Sequence, residues 1–395
     1  MTILYDAKLL GPATHVLAIG VGKYPHLIGG NSKDKAVQQY GLGQLKSPPV
    51  SAKRFIDWCL GPLVDPPAIG YENDKSPLGS VEALISAKAP VSIQTPGGAV
   101  TVDGATGDAA FTAFMSWWNR VQQHPENIGA FYACGHGVEI SDDYLLFEDF
   151  GNPAKKPWVN AVSIMREFLA ASNLFSGTLY FFLDSCRDVP QHVRETLKPG
   201  APNFLETDST KRNARSATLI WSTPPGHQAS APSNGGVSYF TEALVTALSG
   251  YCGNSQHGIQ EWLVDHARLL AAVNTLLEAQ YQPEPREVED EKYCDAVGGG
   301  RVPLVRLRHP PKVKVELSLK PKERRPDYRF YLKPLKGKRY KDDPGFPAVY
   351  HTEVLPGSYE VGADPFKAGV SAIDPLTDQL ILPPLYRPPA LVAAL

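Results

Sequence analysis

The run FYACGHGVEI (131–140) is followed, fifty residues on, by FFLDSCRDVP (181–190), and these two stretches decide how the chain is read. Each is a short apolar and aromatic run that breaks off at reactive residues. The first ends at His136 between two glycines, the second at Cys186 between Asp184-Ser185 and Arg187. Runs such as IGAFYACG (128–135) and TLYFFLDS (178–185) fit strands buried on both faces of a parallel sheet. In such a sheet the residues just past the carboxyl ends of the strands line the functional crevice. His136 and Cys186 are therefore expected together at one sheet edge.

Working outward, HVLAIGVG (15–22) and SATLIWS (216–222) read as further buried strands. Helical spacing marks VSAKRFIDWCL (50–60), FTAFMSWWNRVQQ (111–123), VNAVSIMREFLAAS (159–172), SYFTEALVTALSG (238–250) and IQEWLVDHARLLAAVNTLLEAQ (259–280). In the second of these, Phe111, Phe114, Met115 and Trp118 are expected on the packed side. YLLFEDF (144–150) reads as a surface hairpin, and AVGGGRVPLVRL as a closing strand. GYENDKSPLGS (70–80) and PVSIQTPGGAV (90–100), punctuated by Pro and Gly, read as loops. Strands alternating with helices imply an α/β fold whose mostly parallel sheet is covered on both faces. From about residue 309 the character changes: KVKVELSLK, YRFYLKPL, PAVYHTEVL and GSYEVGA alternate apolar with polar residues, as half-exposed strands do. The expected organisation is an α/β domain over 1–308 and a small all-β, sandwich-like accessory domain over 309–395.

The composition, 43% hydrophobic and 20% charged, suits a globular protein. No apolar run approaches the roughly 18 residues that would cross a bilayer, and no basic patch precedes the short apolar run near the start, so neither a membrane span nor a secretory signal is expected. Five cysteines without a CxxC pair argue against a disulfide framework or a zinc ribbon and for a reducing cytoplasm. Cys134 and His136 have no further metal ligands at useful spacing. AIGVGKYPH lacks the third glycine of a dinucleotide site, and no G-x-S-x-G elbow occurs. The net charge of −2 conceals an asymmetry: residues 1–300 carry 22 Lys and Arg against 31 Asp and Glu, and residues 301–341 carry 15 against 3.

A cysteine is a nucleophile only as thiolate, and a neighbouring imidazole takes its proton or stabilises the anion. Gly135 and Gly137 let the backbone approach a ligand beside His136. The amides of Gly137 and Cys186 would then receive the charge growing on a carbonyl oxygen. This is the layout acyl transfer requires.

Strand–GHG followed by strand–DSC resembles the caspase-like cysteine peptidases, in particular their prokaryotic, metacaspase-like branch; in caspases the histidine lies about 50 residues before the cysteine. HVLAIGVGKY is similar to the family's first strand and loop, and LIWSTPPGHQASAPSNGGVSYFTEALVTAL to its late strand, substrate loop and helix. The resemblance covers roughly 15–307 and implies a caspase-like three-layer sandwich. It makes Cys186 the nucleophile, His136 the general acid/base, and the Gly137 and Cys186 amides the oxyanion hole. It gives Asp184 a place in the substrate-binding pocket, with Ser222 and Thr223 on the substrate loop. With an acid in the pocket and no arginine in that loop, cleavage after Arg or Lys is expected. Where many basic-specific relatives carry an Asp at the start of the first helix, this chain has Ser51, which implies a looser preference. Asp184 as a mere cap of its turn, and Cys134 as a packing residue, are the plainer readings.

The resemblance implies no metal or other cofactor. Calcium activates some relatives, but no DxDxDG loop is present. Protein substrates are the expected partners, with an activating protease or regulator as a further one and nucleic acid disfavoured. Such proteins serve in regulated proteolysis, including anti-phage death responses, and are often matured by a cut after the nucleophile strand. Here Lys198, Lys211, Arg212 and Arg215 lie in that connection. The competing class is an inactive adaptor that keeps the fold and binds protein through the same crevice. The accessory domain is expected to dock a protein, with covering the crevice or bracing the sheet edge as alternatives.

Overall fold

The computed structural model describes residues 2–66, 69–140, 142–155, 159–187, 203–206, 213–251, 254–255, 262–280, 293–335, 339–341, 347–381, 385–386 and 389–393. They form two compact units, Met1–Ser249 with Leu263–Arg306, and Gly250–Trp262 with Leu307–Leu395.

The first unit follows the order β1 (Thr2–Asp6), β2 (Thr14–Val21), α1 (Ser47–Val64), β3 (Leu78–Ser86), α2 (Gly107–Val121), β4 (Ile128–Gly135), β5 (Gly137–Glu139), β6 (Asp143–Leu146), β7 (Ala161–Ser163), α3 (Ile164–Leu174), β8 (Thr178–Ser185), β9 (Ser216–Trp221), α4 (Tyr239–Thr246), α5 (His266–Gln280) and β10 (Asp295–Gly299). Seven strands pair in the order β1-β3-β2-β4-β8-β9-β10. The inner five run parallel, and β1 and β10 close the edges antiparallel.

Alternation along the central strands assigns the two faces. Phe131 of β4 and Phe181 of β8 lie 6.1 and 6.0 Å from the Trp117 ring of α2. Their even-numbered neighbours turn the other way, toward Phe55 of α1, which stacks on Tyr132 at 4.7 Å and meets Phe182 edge-on at 6.1 Å. Cys134, His136, Asp184 and Cys186 continue that even-numbered series, so the chemistry stands on the α1 side of the sheet.

Several elements differ from the sequence reading. Strand β3 begins inside the expected 70–80 loop and is buried throughout; its Glu82 is fully buried and tied to Arg120 of α2 at 2.5 Å. The expected 90–100 loop is a hairpin, Ser92–Thr95 with Gly98–Thr101. The buried side of α2 is Ala110, Ala113, Phe114, Trp117, Trp118 and Val121, while Phe111 is 46% exposed. Residues 144–146 do belong to a hairpin, β5 with β6, but 144–147 are buried and not at the surface, because β6 is the middle strand of the small sheet β5-β6-β7. Helix α3 starts only at Ile164, where the Ser163 hydroxyl caps the Arg166 amide. Likewise Trp262–Val264 is a strand and α5 begins at His266.

In the second unit, β11 (Val313–Lys320) pairs with β13 (Val349–Val354), and β12 (Tyr328–Pro334) with β14 (Gly357–Pro365), whose other side carries β15 (Leu376–Ile381). Alternate residues Val313, Val315, Leu317 and Leu319 share one core with Phe330, Leu332 and Val361. The basic excess is partly paired within the unit: Arg324 and Lys367 bind Asp327 at 2.8 and 2.7 Å, and Arg339 binds Asp364 at 2.9 Å.

Candidate active site

Strands β4 and β8 pair in parallel with Cys134 opposite Asp184 and Gly135 opposite Ser185. His136 and Cys186 are thus the first residues beyond the paired ends of adjacent strands, whose spacing is about 4.8 Å. Both line one cleft of about 460 Å³, together with Cys134, Gly135, Gly137 and Asp184. Its opposite walls come from residues 40–42, 45, 47 and 48 ahead of and at the start of α1, and from Gln228–Ala231 and Ser238.

Gly137 is needed where it stands. A Cβ there would meet the Cys186 carbonyl oxygen and the Ser185 hydroxyl far inside contact distance. The backbone at Gly137 therefore lies directly against the Cys186 carbonyl and the Ser185 side chain.

His136 is held from two sides. Its backbone N–H donates to Tyr24 Oη at 2.8 Å, and the two rings lie 4.8 Å apart. Tyr24 is fully buried and donates its own hydroxyl to the Leu146 carbonyl at 3.3 Å. Burial pushes its phenol far above the usual range, so it stays neutral. On the other side, His136 Nε2 lies 2.8 Å from the Gly43 carbonyl oxygen. A carbonyl only accepts, so Nε2 carries a hydrogen and the neutral ring leaves Nδ1 as the base. Burial lowers the imidazole pKa from its ordinary 6.5, with the Gly43 bond opposing.

Asp184 is 2% exposed. Its Oδ2 accepts from Thr241 Oγ1 at 2.7 Å, Tyr132 Oη at 3.4 Å and Ser238 Oγ. Burial holds the carboxyl above its usual range, and those donors pull it back down. Among the described residues lining the cleft, Asp184 is the one carboxylate, and none is Lys or Arg. Ser238 also caps α4 through the Thr241 amide, and its own N–H donates to Ser51 Oγ at 2.9 Å. Burial, and Asp184 beside it, keep the Cys134 thiol protonated.

The structure does not bring every residue named from the sequence to the cleft. Ser222 and Thr223 are buried behind it, where their hydroxyls donate to the Ser185 and His227 carbonyls at 3.2 and 3.4 Å. The far part of that loop lines the cleft instead. Tyr24, Gly43 and Ser238 support the site beyond the residues named from the sequence. Tyr24 lies within the HVLAIGVGKY stretch, but nothing in a sequence signals that a glycine's carbonyl will meet an imidazole. Lys198, Lys211 and Arg212 lie outside the described residues. Arg215 is described, with its side chain 61% exposed.

A mostly parallel sheet between helix layers, with histidine and cysteine on adjacent strand ends, defines a caspase-fold protein. The chain belongs to the caspase domain family, the C14 peptidases, which its residues 96–295 match. An uncharacterized protein of Sinorhizobium fredii, y4kE, is 32% identical over 267 residues, spanning 66% of this chain and 75% of that one. Caspase-1 from Spodoptera frugiperda aligns at 11% identity and a TM-score of 0.40, over 77% of this chain and 96% of its own.

Proposed function

We propose that this protein is a cysteine endopeptidase that cleaves polypeptides after Arg or Lys and acts in regulated proteolysis, such as a defence or cell-death response. The reading rests on one observation: Cys186, His136 and Gly137 share a cleft whose lining holds a single carboxylate, Asp184, and no cation among the described residues. In this reading His136 Nδ1 takes the thiol proton and Cys186 Sγ attacks the carbonyl carbon. The oxyanion is received by the Gly137 and Cys186 amides, and His136 returns its proton to the departing amine. Water, deprotonated by His136, then attacks the thioester and releases the carboxylate product and Cys186. The buried charge of Asp184 favours a substrate ammonium or guanidinium and repels a substrate carboxylate.

Fluorogenic peptides differing only in Arg, Lys, Asp or Leu at the cleavage position test the preference. Arg and Lys are expected to exceed Asp and Leu by about 10²-fold or more in kcat/KM, the range a buried charged partner commands. Preference for Asp or Leu would refute the pocket assignment. The pH profile tests the base. Because burial disfavours the imidazolium, the neutral base survives as pH falls through 6.5. The acid limb of kcat/KM should therefore have its midpoint below 6.5, and a midpoint at or above 7 would remove His136 from that role.

A further inference from the structure

Arg187 follows Cys186 directly, and no step of the proposed reaction uses it. Its side chain is nonetheless drawn inward, at 7% exposure, where a guanidinium is costly unless its donors are met. Two of them are met by carboxylates from distant elements. Nε donates to Glu139 Oε2 at 3.0 Å and Nη1 to Asp295 Oδ2 at 2.9 Å. The guanidinium lies 4.5 Å above the Trp221 ring, and that indole is fixed in turn by its Nε1–H donating to Asp143 Oδ2 at 2.7 Å. The backbone of Arg187 is also held: its N–H donates to the His227 carbonyl at 2.9 Å, and its carbonyl accepts from Gly226 N–H at 3.0 Å.

One residue thus ties the end of β8 to β5, to β10, to the end of β9 and to the loop that continues into Gln228–Ala231. The tie to β5 matters most. That strand is three residues long, with Gly137 at one end and Glu139 at the other, so a bond at Glu139 acts two residues from Gly137, alongside the strand's pairing with β6. Arg187 is at the same time bonded covalently to Cys186. We infer that Arg187 is the positioning residue that holds the Gly137 and Cys186 amides at a fixed separation and angle, so that both aim at one oxyanion.

The inference rests on the peptidase reading and makes a demand that mere stabilisation does not. Donor placement matters in the tetrahedral state and little to bound substrate or to the thiol itself. Arg187→Lys keeps the charge but loses the planar fork, and Glu139→Gln removes one tether. With an arginyl peptide, Arg187→Lys is expected to lower kcat about 30-fold, on the scale of an angstrom's misplacement of a catalytic group, with KM changed less than about threefold. Affinity for an arginyl peptide aldehyde, whose adduct with Cys186 carries the same oxygen, should fall in step with kcat. Alkylation of Cys186 by iodoacetamide, which forms no oxyanion, should stay within about twofold of native. Glu139→Gln should lower kcat in the same sense, and the double variant should be no worse than Arg187→Lys alone. Native kcat in Arg187→Lys, or kcat and alkylation falling together, would overturn the inference while leaving the peptidase reading standing. Absence of Cys186-dependent turnover in the unaltered chain would overturn that reading, and the inference with it.

Discussion

Cys186→Ala is expected to abolish hydrolysis of an arginyl peptide, with kcat reduced by about 10⁴-fold or more, the scale on which removal of a nucleophile acts. The other thiol lining the cleft is not suited to replace it. Cys134, the nearest thiol by register, faces Asp184 across the strand pair, and burial keeps it protonated. His136→Ala should fall almost as far, and the double variant hardly further, because the two groups act as one unit. The sulfur sits just past a strand end, so its loss should leave the thermal midpoint within a few degrees of native. Turnover assays on the two single variants and the double variant, each with a melting curve, decide the matter. Residual activity above about a hundredth of native in Cys186→Ala would dismiss the dyad.

Gly137→Ala carries the second large effect. The added methyl would be forced into the Cys186 carbonyl and the Ser185 hydroxyl, so strand β5 must move away from β8. That movement takes the Gly137 amide off the oxyanion. Losing one such donor costs about 10² to 10³ in kcat. KM for a short peptide should change far less, since the pocket around Asp184 is untouched. The same steady-state assay reads this out, and a variant with native kcat would show that the amide plays no part in the reaction.

The central architecture was legible because its strands advertise themselves. Ile128–Gly135 and Thr178–Ser185 match the quoted apolar runs residue for residue. Helix α1 was legible in outline, with Pro48 and Pro49 marking its first turn. Strand β3 was not. LGSVEALIS carries a glycine, two serines and a glutamate, and the buried Glu82 finds its partner in Arg120, 38 positions away. Long-range pairing of that kind leaves no local pattern. Trp262–Val264 reads as part of the helix that follows because three apolar residues satisfy either periodicity. Within the site, side chains that announce their chemistry could be named. The part of the substrate loop that reaches the cleft could not, since Ser222 and Thr223 look as suited to contact as Gln228 and Ser230 do.

The bond from His136 to Gly43 has a consequence for how this site would answer to mutation. The group that sets the imidazole tautomer belongs to the main chain, so it has no pKa of its own and no side chain to delete. Every substitution at position 43 still brings a carbonyl oxygen. An alanine scan would pass over it in silence, although moving that oxygen would turn the base the wrong way round. Sensitivity is transferred to whatever holds the segment's course, beginning with Gln44. Its amide is bonded to the Tyr24 N–H and carbonyl at 2.9 and 2.8 Å, and so joins the front and rear supports of the ring.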